Sequence, residues 1–206
     1  EESFMVVQDW LGKDNIVGMD IWEKKYRQNK ESFEEWLNRV SNHNPEVRNL
    51  IVQKKFLFGG RILSNRGIPS KVTYSNCYVL TPPEDSIESI FECASKMART
   101  FSYGGGVGVD ISKLAPRGAK VHNAAKQTSG AVSFMDLYSH VTGLIGQNGR
   151  RGALMLSIDC NHPDVEEFIK IKSDLNRVTK ANISIKVTRK FMKAVIEDKP
   201  FALFFT

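Results

Sequence analysis

Short β-prone runs alternate with helical patterns through the later part of the chain, and this alternation constrains the fold more than any other feature. The β-prone or buried-strand runs cover residues 73–80, 107–111, 153–158, 181–187 and 201–205. Apolar residues recur at helical spacing over 87–101 and 131–146, and further helices are expected to begin at Pro163 and Thr188. Strands that alternate with helices form a parallel sheet with crossover helices, so we predict an α/β fold.

The first 57 residues have a different, helical pattern. Ser32 with Glu35 is typical of a capping box, and Asn44 with Pro45 supplies an N-cap followed by proline at the first helical position. We therefore expect a helical region over residues 1–57 and an α/β region over residues 58–206. An open parallel sheet that ended on the apolar run 201–205 would expose an unpaired edge. We thus expect more protein, or a partner, after Thr206.

Composition and charge exclude several classes of protein. No apolar run approaches the roughly 20 residues of a membrane-spanning helix, so no membrane association is expected. The formal net charge of +6 favours anionic ligands. No basic stripe accompanies a recognition element, so we expect phosphorylated small molecules and not nucleic acid. The cysteines Cys77, Cys93 and Cys160 are widely spaced, which indicates a reducing, cytoplasmic location, and no metal site is expected.

A glycine-rich turn follows the helix at 87–101. Gly104, Gly105, Gly106 and Gly108 let the backbone approach a ligand, and successive N–H groups can bind phosphate oxygens. The turn is neither a P-loop nor a dinucleotide fingerprint, because no Gly-Lys-Ser/Thr follows it and no helix begins after it. Taken alone, it is as easily a structural turn as a ligand site.

Three further segments have both a structural and a functional interpretation. Cys77 lies in a β-prone context and could be a buried small hydrophobe or a reactive thiol. Either Asp85 or Ser86 is expected to cap the helix that follows. The segment 147–152 could be an exposed basic turn, or a loop whose two arginines stack on a base or bind phosphate.

In this order and spacing, the segments resemble the large, catalytic subunit of ribonucleotide reductase, from about Phe58 to Thr206. The segments that carry the resemblance are Ser75–Cys77, Gly104–Asp110, Gln147–Ala153, Cys160–Phe168 and Lys180–Ser184. The helical region predicted over residues 1–57 precedes the part of the chain that carries the resemblance. The resemblance implies that residues 58–206 form the first part, about half, of a ten-stranded α/β barrel that includes the specificity-effector site.

The resemblance also implies roles for individual residues. Cys77 would be the catalytic, redox-active cysteine, which pairs with a second, distant cysteine and forms a disulfide as the 2′-hydroxyl of a ribonucleotide is removed. The substrate pocket would include Gly60, Asn76, Cys77 and Gly106. The site for a deoxynucleoside triphosphate (dNTP) effector would include Asp85, Ser86, Ile87, Lys113, Arg117, Gln147, Arg150 and Arg151.

The glycine and Asn-His-Pro-Asp motifs look most like the adenosylcobalamin-dependent class of the family, and the oxygen-dependent class with a separate metal-bearing subunit stays open. The resemblance implies adenosylcobalamin as the cofactor of the complete enzyme, a dNTP effector, a ribonucleotide substrate, a thioredoxin- or glutaredoxin-type reductant and a homodimer. The family's radical-carrying cysteine and second redox cysteine are expected in a remaining C-terminal part. This chain alone is therefore expected to be incomplete and inactive.

Two other functions compete with this interpretation. The chain could be a non-catalytic module of a split reductase that binds dNTPs and dimerises. It could also be a basic nucleic-acid-binding domain, which the lack of a basic stripe disfavours.

Overall fold

The computed structural model describes residues 5–145 and 152–206. These residues form two compact units, which divide between Asn76 and Cys77. The division comes later than the change of pattern after residue 57. Leu63 is buried in the core of the first unit and Phe58 packs against that core, so residues 58–76 belong with the N-terminal helices.

The first unit is helical, and its predicted helix starts are confirmed. It consists of α1 (Val7–Leu11), α2 (Ile16–Ile21), a π-helical turn (Trp22–Tyr26), α3 (Phe33–Ser41), α4 (Pro45–Val52) and α5 (Gly60–Asn65). Ser32 and Glu35 form the capping box of α3, and Asn44 accepts hydrogen bonds from the first turn of α4. Four aromatic rings pack in the core of this unit: Trp10, Trp22, Phe33 and Trp36.

The second unit is a parallel sheet with helices. Its elements are β1 (Cys77–Val79), α6 (Ile87–Ser102), β2 (Gly106–Asp110), α7 (Ala131–Leu144), β3 (Leu154–Asp159), α8 (Val165–Lys170), a 3₁₀ turn (Ile171–Ser173), β4 (Ala181–Lys186) and α9 (Arg189–Ile196). The strands lie in the order β1-β2-β3-β4, and every neighbouring pair is parallel. The predicted α/β architecture is therefore confirmed.

The core of the second unit lies between the sheet and helices α6, α7 and α8. Alternate residues of each central strand enter it, because successive side chains of a strand point to opposite faces. The strand residues that do so are Val107, Val109, Leu154, Leu156 and Ile158. They meet buried side chains of the helices, among them Met97, Phe101, Met135, Tyr138 and Phe168. This packing leaves the other face of the sheet uncovered by these helices.

Two strand predictions need correction. Residues 201–205 form no strand, so that prediction is wrong: within the described chain one backbone hydrogen bond, from Phe204 N to Asn161 O at 2.8 Å, ties the segment to the turn after β3. A single bond does not make a ladder, however apolar the segment. The run predicted at 73–80 is a strand only over Cys77–Val79. Before it, the Thr73 hydroxyl bonds the backbone of Ser75, a local turn contact that competes with strand pairing.

Candidate functional site

The uncovered face of the sheet is lined by residues that alternate with the core positions. The strand register places Cys77 opposite Gly106 and Val79 opposite Gly108. It also places Gly108 opposite Met155 and Asp110 opposite Ser157, and on the next strand Asn182, Ser184 and Lys186 follow. Since paired residues of parallel strands point to the same side, these side chains share one face. We call it the open face.

Cys77 lies at one edge of the open face. It is the first residue of β1, its thiol is free, and the residue is exposed. Its register partner Gly106 has no side chain, so nothing from that position covers the thiol. A β-carbon built at Gly108 would meet no atom within 4 Å. Gly108 therefore leaves open space beside β1, where a ligand can lie against the backbone.

A charged cluster lies at the carboxyl ends of β2, β3 and β4. The Lys186 ammonium bridges Asp110 and Asp159 at 2.9 Å each, and the Ser157 hydroxyl donates to Asp110 at 2.7 Å. Burial alone would raise the pKa of Asp110, but hydrogen bonds from Lys186, Ser157 and Ser112 outweigh burial, so that the pKa is below its ordinary value. Burial likewise opposes the charge on Lys186, and the two carboxylates nevertheless raise the pKa of this lysine. Asp110 and Lys186 are thus both ionised at neutral pH.

The sequence interpretation did not single out this cluster, although the sequence contains a signal for it. Apolar residues alternate with small or polar ones, except at Met155, in Gly106–Asp110, Leu154–Asp159 and Ala181–Lys186. An alternation of this kind predicts strands with one buried face and one polar face. The pairing of Asp110 with Lys186, by contrast, depends on the strand order.

The predicted effector residues Asp85, Ser86 and Ile87 lie together at the start of α6. Ser86 is the N-cap, and its hydroxyl accepts a hydrogen bond from Ser89 N at 3.2 Å. Asp85 does not cap the helix. Its Oδ1 accepts a hydrogen bond from Ala115 N at 3.1 Å, which ties it to the segment after β2. Ile87 is 58% exposed, a large apolar side chain beside these polar groups.

The predicted effector cations Lys113 and Arg117 each pair with a carboxylate. Lys113 forms an ion pair with Glu84, the residue before Asp85, so it lies at the same helix start. Its side chain also lines a cavity of about 380 Å³ at the carboxyl ends of β2 and β3. Arg117 pairs with Glu167 of α8 at 2.6 Å, and that carboxylate raises the pKa of the guanidinium. The fold thus brings Lys113 to Asp85 and ties the Arg117 side chain to α8.

A buried network connects this region to the turn between β3 and α8. The Asp164 carboxylate accepts hydrogen bonds from Arg117 N at 3.2 Å and from Ala131 N, at the start of α7, at 3.1 Å. The His162 ring bonds Leu114 O through Nε2 at 2.7 Å and accepts from Asp164 N through Nδ1 at 3.0 Å. Because a carbonyl can only accept, the hydrogen lies on Nε2. Both ring nitrogens are therefore engaged.

The remaining predicted residues fall elsewhere. Gln147, Arg150 and Arg151 lie outside the described residues. Gly60, the first residue of α5, and Asn76 belong to the first unit; a β-carbon at Gly60 would lie 3.2 Å from the Tyr26 hydroxyl. In the described residues, no group of three or more His, Cys, Asp or Glu could hold a metal ion.

The other two cysteines differ from Cys77 in their surroundings. Cys93 and Cys160 are both buried, at 5% and 4% exposure. Burial raises the pKa of Cys93, which disfavours the reactive thiolate. Exposure beside backbone glycines therefore distinguishes Cys77 among the three thiols.

Comparisons with known proteins identify one family. A family model described as "Ribonucleotide reductase, barrel domain" matches residues 75–206. The vitamin B12-dependent ribonucleoside-diphosphate reductase of Mycobacterium tuberculosis is 36% identical over 151 residues, which are 72% of this chain and 21% of that protein. The protein of the same name from Thermoplasma acidophilum is 42% identical over 126 residues, which are 60% of this chain and 16% of that protein.

A solved structure supports the fold assignment. The alpha subunit of the class Id ribonucleotide reductase of Actinobacillus ureae matches with a TM-score of 0.78 at 19% identity, over 96% of this chain and 37% of that one. At this identity the likeness concerns the fold alone. The chain spans about a fifth or less of the two curated relatives, 21% and 16%. None of the helices within 5–145 and 152–206 is long and apolar enough to cross a membrane.

Proposed function

The chain belongs to the ribonucleotide reductase family, with the barrel domain of the large subunit beginning near residue 75, and from this premise we propose that it is part of an enzyme that converts ribonucleotides to 2′-deoxyribonucleotides. Cys77 is one of the two reducing thiols. The observation that carries the proposal is the position of Cys77, exposed on the open face in register with Gly106. A thiol there can meet a ribose that lies against the backbone of β2.

The role of Cys77 follows from the balance of the reaction. Replacing the 2′-hydroxyl by hydrogen releases water and consumes two electrons and two protons. Cys77 and a second cysteine of the complete enzyme supply both, and they end as a disulfide. An external dithiol of the thioredoxin or glutaredoxin type must then reduce that disulfide before the next turnover. Gly106 and Gly108 are proposed to bind the substrate through close backbone approach, and the family resemblance supports Gly60 and Asn76 as further substrate-binding residues.

The start of α6 is proposed as the effector site. Ser86 caps the helix, and the Asp85 carboxylate, fixed by Ala115 N, keeps Oδ2 for a sugar hydroxyl of a bound dNTP. Ile87 offers apolar contact, and Lys113 can exchange Glu84 for a phosphate because both partners of that ion pair are more than half exposed. Arg117, Gln147, Arg150 and Arg151 complete the proposed set. The loop 147–152 would relay effector identity to the substrate.

Adenosylcobalamin is the proposed radical source of the complete enzyme, since the relatives from M. tuberculosis and T. acidophilum are named vitamin B12-dependent. When bound, it supplies the radical that starts the reaction. In the described residues no group of three or more His, Cys, Asp or Glu could hold a metal ion, and both ring nitrogens of His162 are hydrogen-bonded, so we assign no cobalt ligand to them. No step of this chain is therefore assigned to the cofactor. A cytoplasmic homodimer is the proposed assembly.

Substitution of Cys77 in the complete reductase tests the proposal. Cys77→Ser is expected to abolish multiple turnover with an external dithiol reductant, because the two-thiol couple is broken. Cys160→Ala, at a buried thiol, serves as the matched control and is expected to keep turnover. Normal multiple turnover by Cys77→Ser would remove the redox role from this residue.

A further inference from the structure

Asp164 and His162 belong to neither the proposed redox residues nor the proposed effector residues, and yet both form hydrogen bonds to the segment 114–117. We propose that these two residues are positioning residues of the effector site: they fix the segment 114–117, and through it the carboxylate of Asp85. This inference rests on the proposed function of Asp85 as an effector ligand. We call residues 114–117 the bridging segment.

The bridging segment is held from one side by the turn before α8. Leu114 O accepts from His162 Nε2 at 2.7 Å, and Arg117 N donates to both oxygens of Asp164 at 3.2 Å. His162 and Asp164 are 2% and 7% exposed, so these bonds are shielded from water. The two side chains are in turn fixed to each other, since Asp164 N donates to His162 Nδ1 at 3.0 Å.

The bridging segment is held from the other side by the predicted effector aspartate. Ala115 N donates to Asp85 Oδ1 at 3.1 Å. Within this one segment, Leu114 O bonds the β3–α8 turn, Ala115 N bonds Asp85, and Arg117 N bonds the turn again. A displacement of the segment must therefore move or release the Asp85 carboxylate.

The two side-chain oxygens of Asp164 hold this arrangement together through hydrogen bonds to backbone. A buried carboxylate is costly unless hydrogen-bond donors satisfy it, and here the donors are backbone N–H groups of Arg117 and of Ala131 at the positive start of α7. In Asp164→Asn, one acceptor oxygen is replaced by an NH₂ group that meets backbone donors, so a bond is replaced by a repulsion between donors. The bridging segment then loses its fixed position while the core packing of α8 is unchanged.

The test measures dTTP and dATP binding, each separately, to the complete reductase. Asp164→Asn is expected to weaken binding about tenfold or more, the size that loss of a hydrogen bond to a charged group produces. Saturating effector is expected to restore kcat, which a merely misfolded protein would not allow. Glu166→Gln removes the same charge two residues away, where its carboxylate only pairs with Lys170 on the surface, and it is expected to bind both nucleotides normally.

Other outcomes overturn the inference in distinguishable ways. Unchanged affinity of Asp164→Asn, or a kcat that stays low at saturating effector, would refute the positioning role alone. If the unmodified enzyme bound neither nucleotide, the proposed effector site would fail and the positioning role with it. Should Asp164→Asn not fold, hydrogen exchange of the unmodified enzyme decides: dTTP is expected to slow exchange at Ala115 and Arg117, and unchanged exchange there would refute the role.

Discussion

Gly130 is the position where one added methyl group should damage the Asp164 network most. It precedes α7 with φ of 95° and ψ of 168°, a conformation that residues with a β-carbon avoid. A β-carbon there would lie 2.8 Å from Asp164 Oδ2 and 2.9 Å from Arg117 N. The second of these atoms is backbone, so the substitution cannot be accommodated by rotating a side chain.

The expected cost of Gly130→Ala has two parts. The backbone conformation costs about 1–3 kcal/mol. Displacing the carboxylate weakens hydrogen bonds to a charged group, each worth about 1.5–3 kcal/mol. We therefore expect the free energy of unfolding to fall by about 3–5 kcal/mol, because relaxation of the structure reduces both costs.

Gly118→Ala is the matched control. Gly118 also has a positive φ, 85°, but a β-carbon there would meet nothing within 4 Å. This variant should lose only the conformational part, about 1–2 kcal/mol. Urea unfolding followed by circular dichroism measures both variants. If Gly130→Ala loses no more stability than Gly118→Ala, the close packing of Asp164 against the bridging segment is wrong.

Three further predictions concern buried or paired groups. Lys186→Met should lower the free energy of unfolding by only about 1 kcal/mol at pH 7, because the lysine is half exposed. The pKa of Asp110 is lowered in the folded state, so in urea titrations the difference between variant and wild type should shrink as the pH falls below about 4. A difference that stays constant with pH would contradict the pairing. Tyr138→Phe should lower the free energy of unfolding by about 1 kcal/mol, because the buried hydroxyl donates to Ile90 O at 3.0 Å. An unchanged melting temperature in calorimetry would refute this. Asp85→Ala should weaken dNTP binding more than Asp85→Asn does, because asparagine retains an oxygen for the bond from Ala115 N. Titration calorimetry measures both affinities. Equal affinity in both variants and wild type would remove Asp85 from the site.

Local signals in the sequence predicted the element starts well. The capping box at Ser32, the N-cap at Asn44 and the N-cap at Thr188 each depend on contacts within three residues, and each is present. The alternation of strand and helical patterns likewise predicted the parallel sheet, because burial on one face imposes its period on the sequence. The apolar run 201–205 misled the same reasoning, since hydrophobicity alone does not provide a partner strand.

Contacts between distant residues could not be predicted in this way. Ala115 is 30 residues from Asp85, and Arg117 is 47 residues from Asp164, so no local pattern links them. The sequence therefore left Asp85 and Ser86 as alternative caps, and the fold separates their roles. Nor does any local pattern show that the Asp164 carboxylate bonds two segments far away in the chain.

Thiol mapping after a single turnover tests the redox role of Cys77. The complete, pre-reduced enzyme would react once with a ribonucleotide in the absence of external reductant, and its free thiols would then be alkylated and located by mass spectrometry. Cys77 is expected in a disulfide, while the buried Cys93 and Cys160 remain thiols. Product formation with Cys77 still free to alkylate would exclude a redox role for this residue.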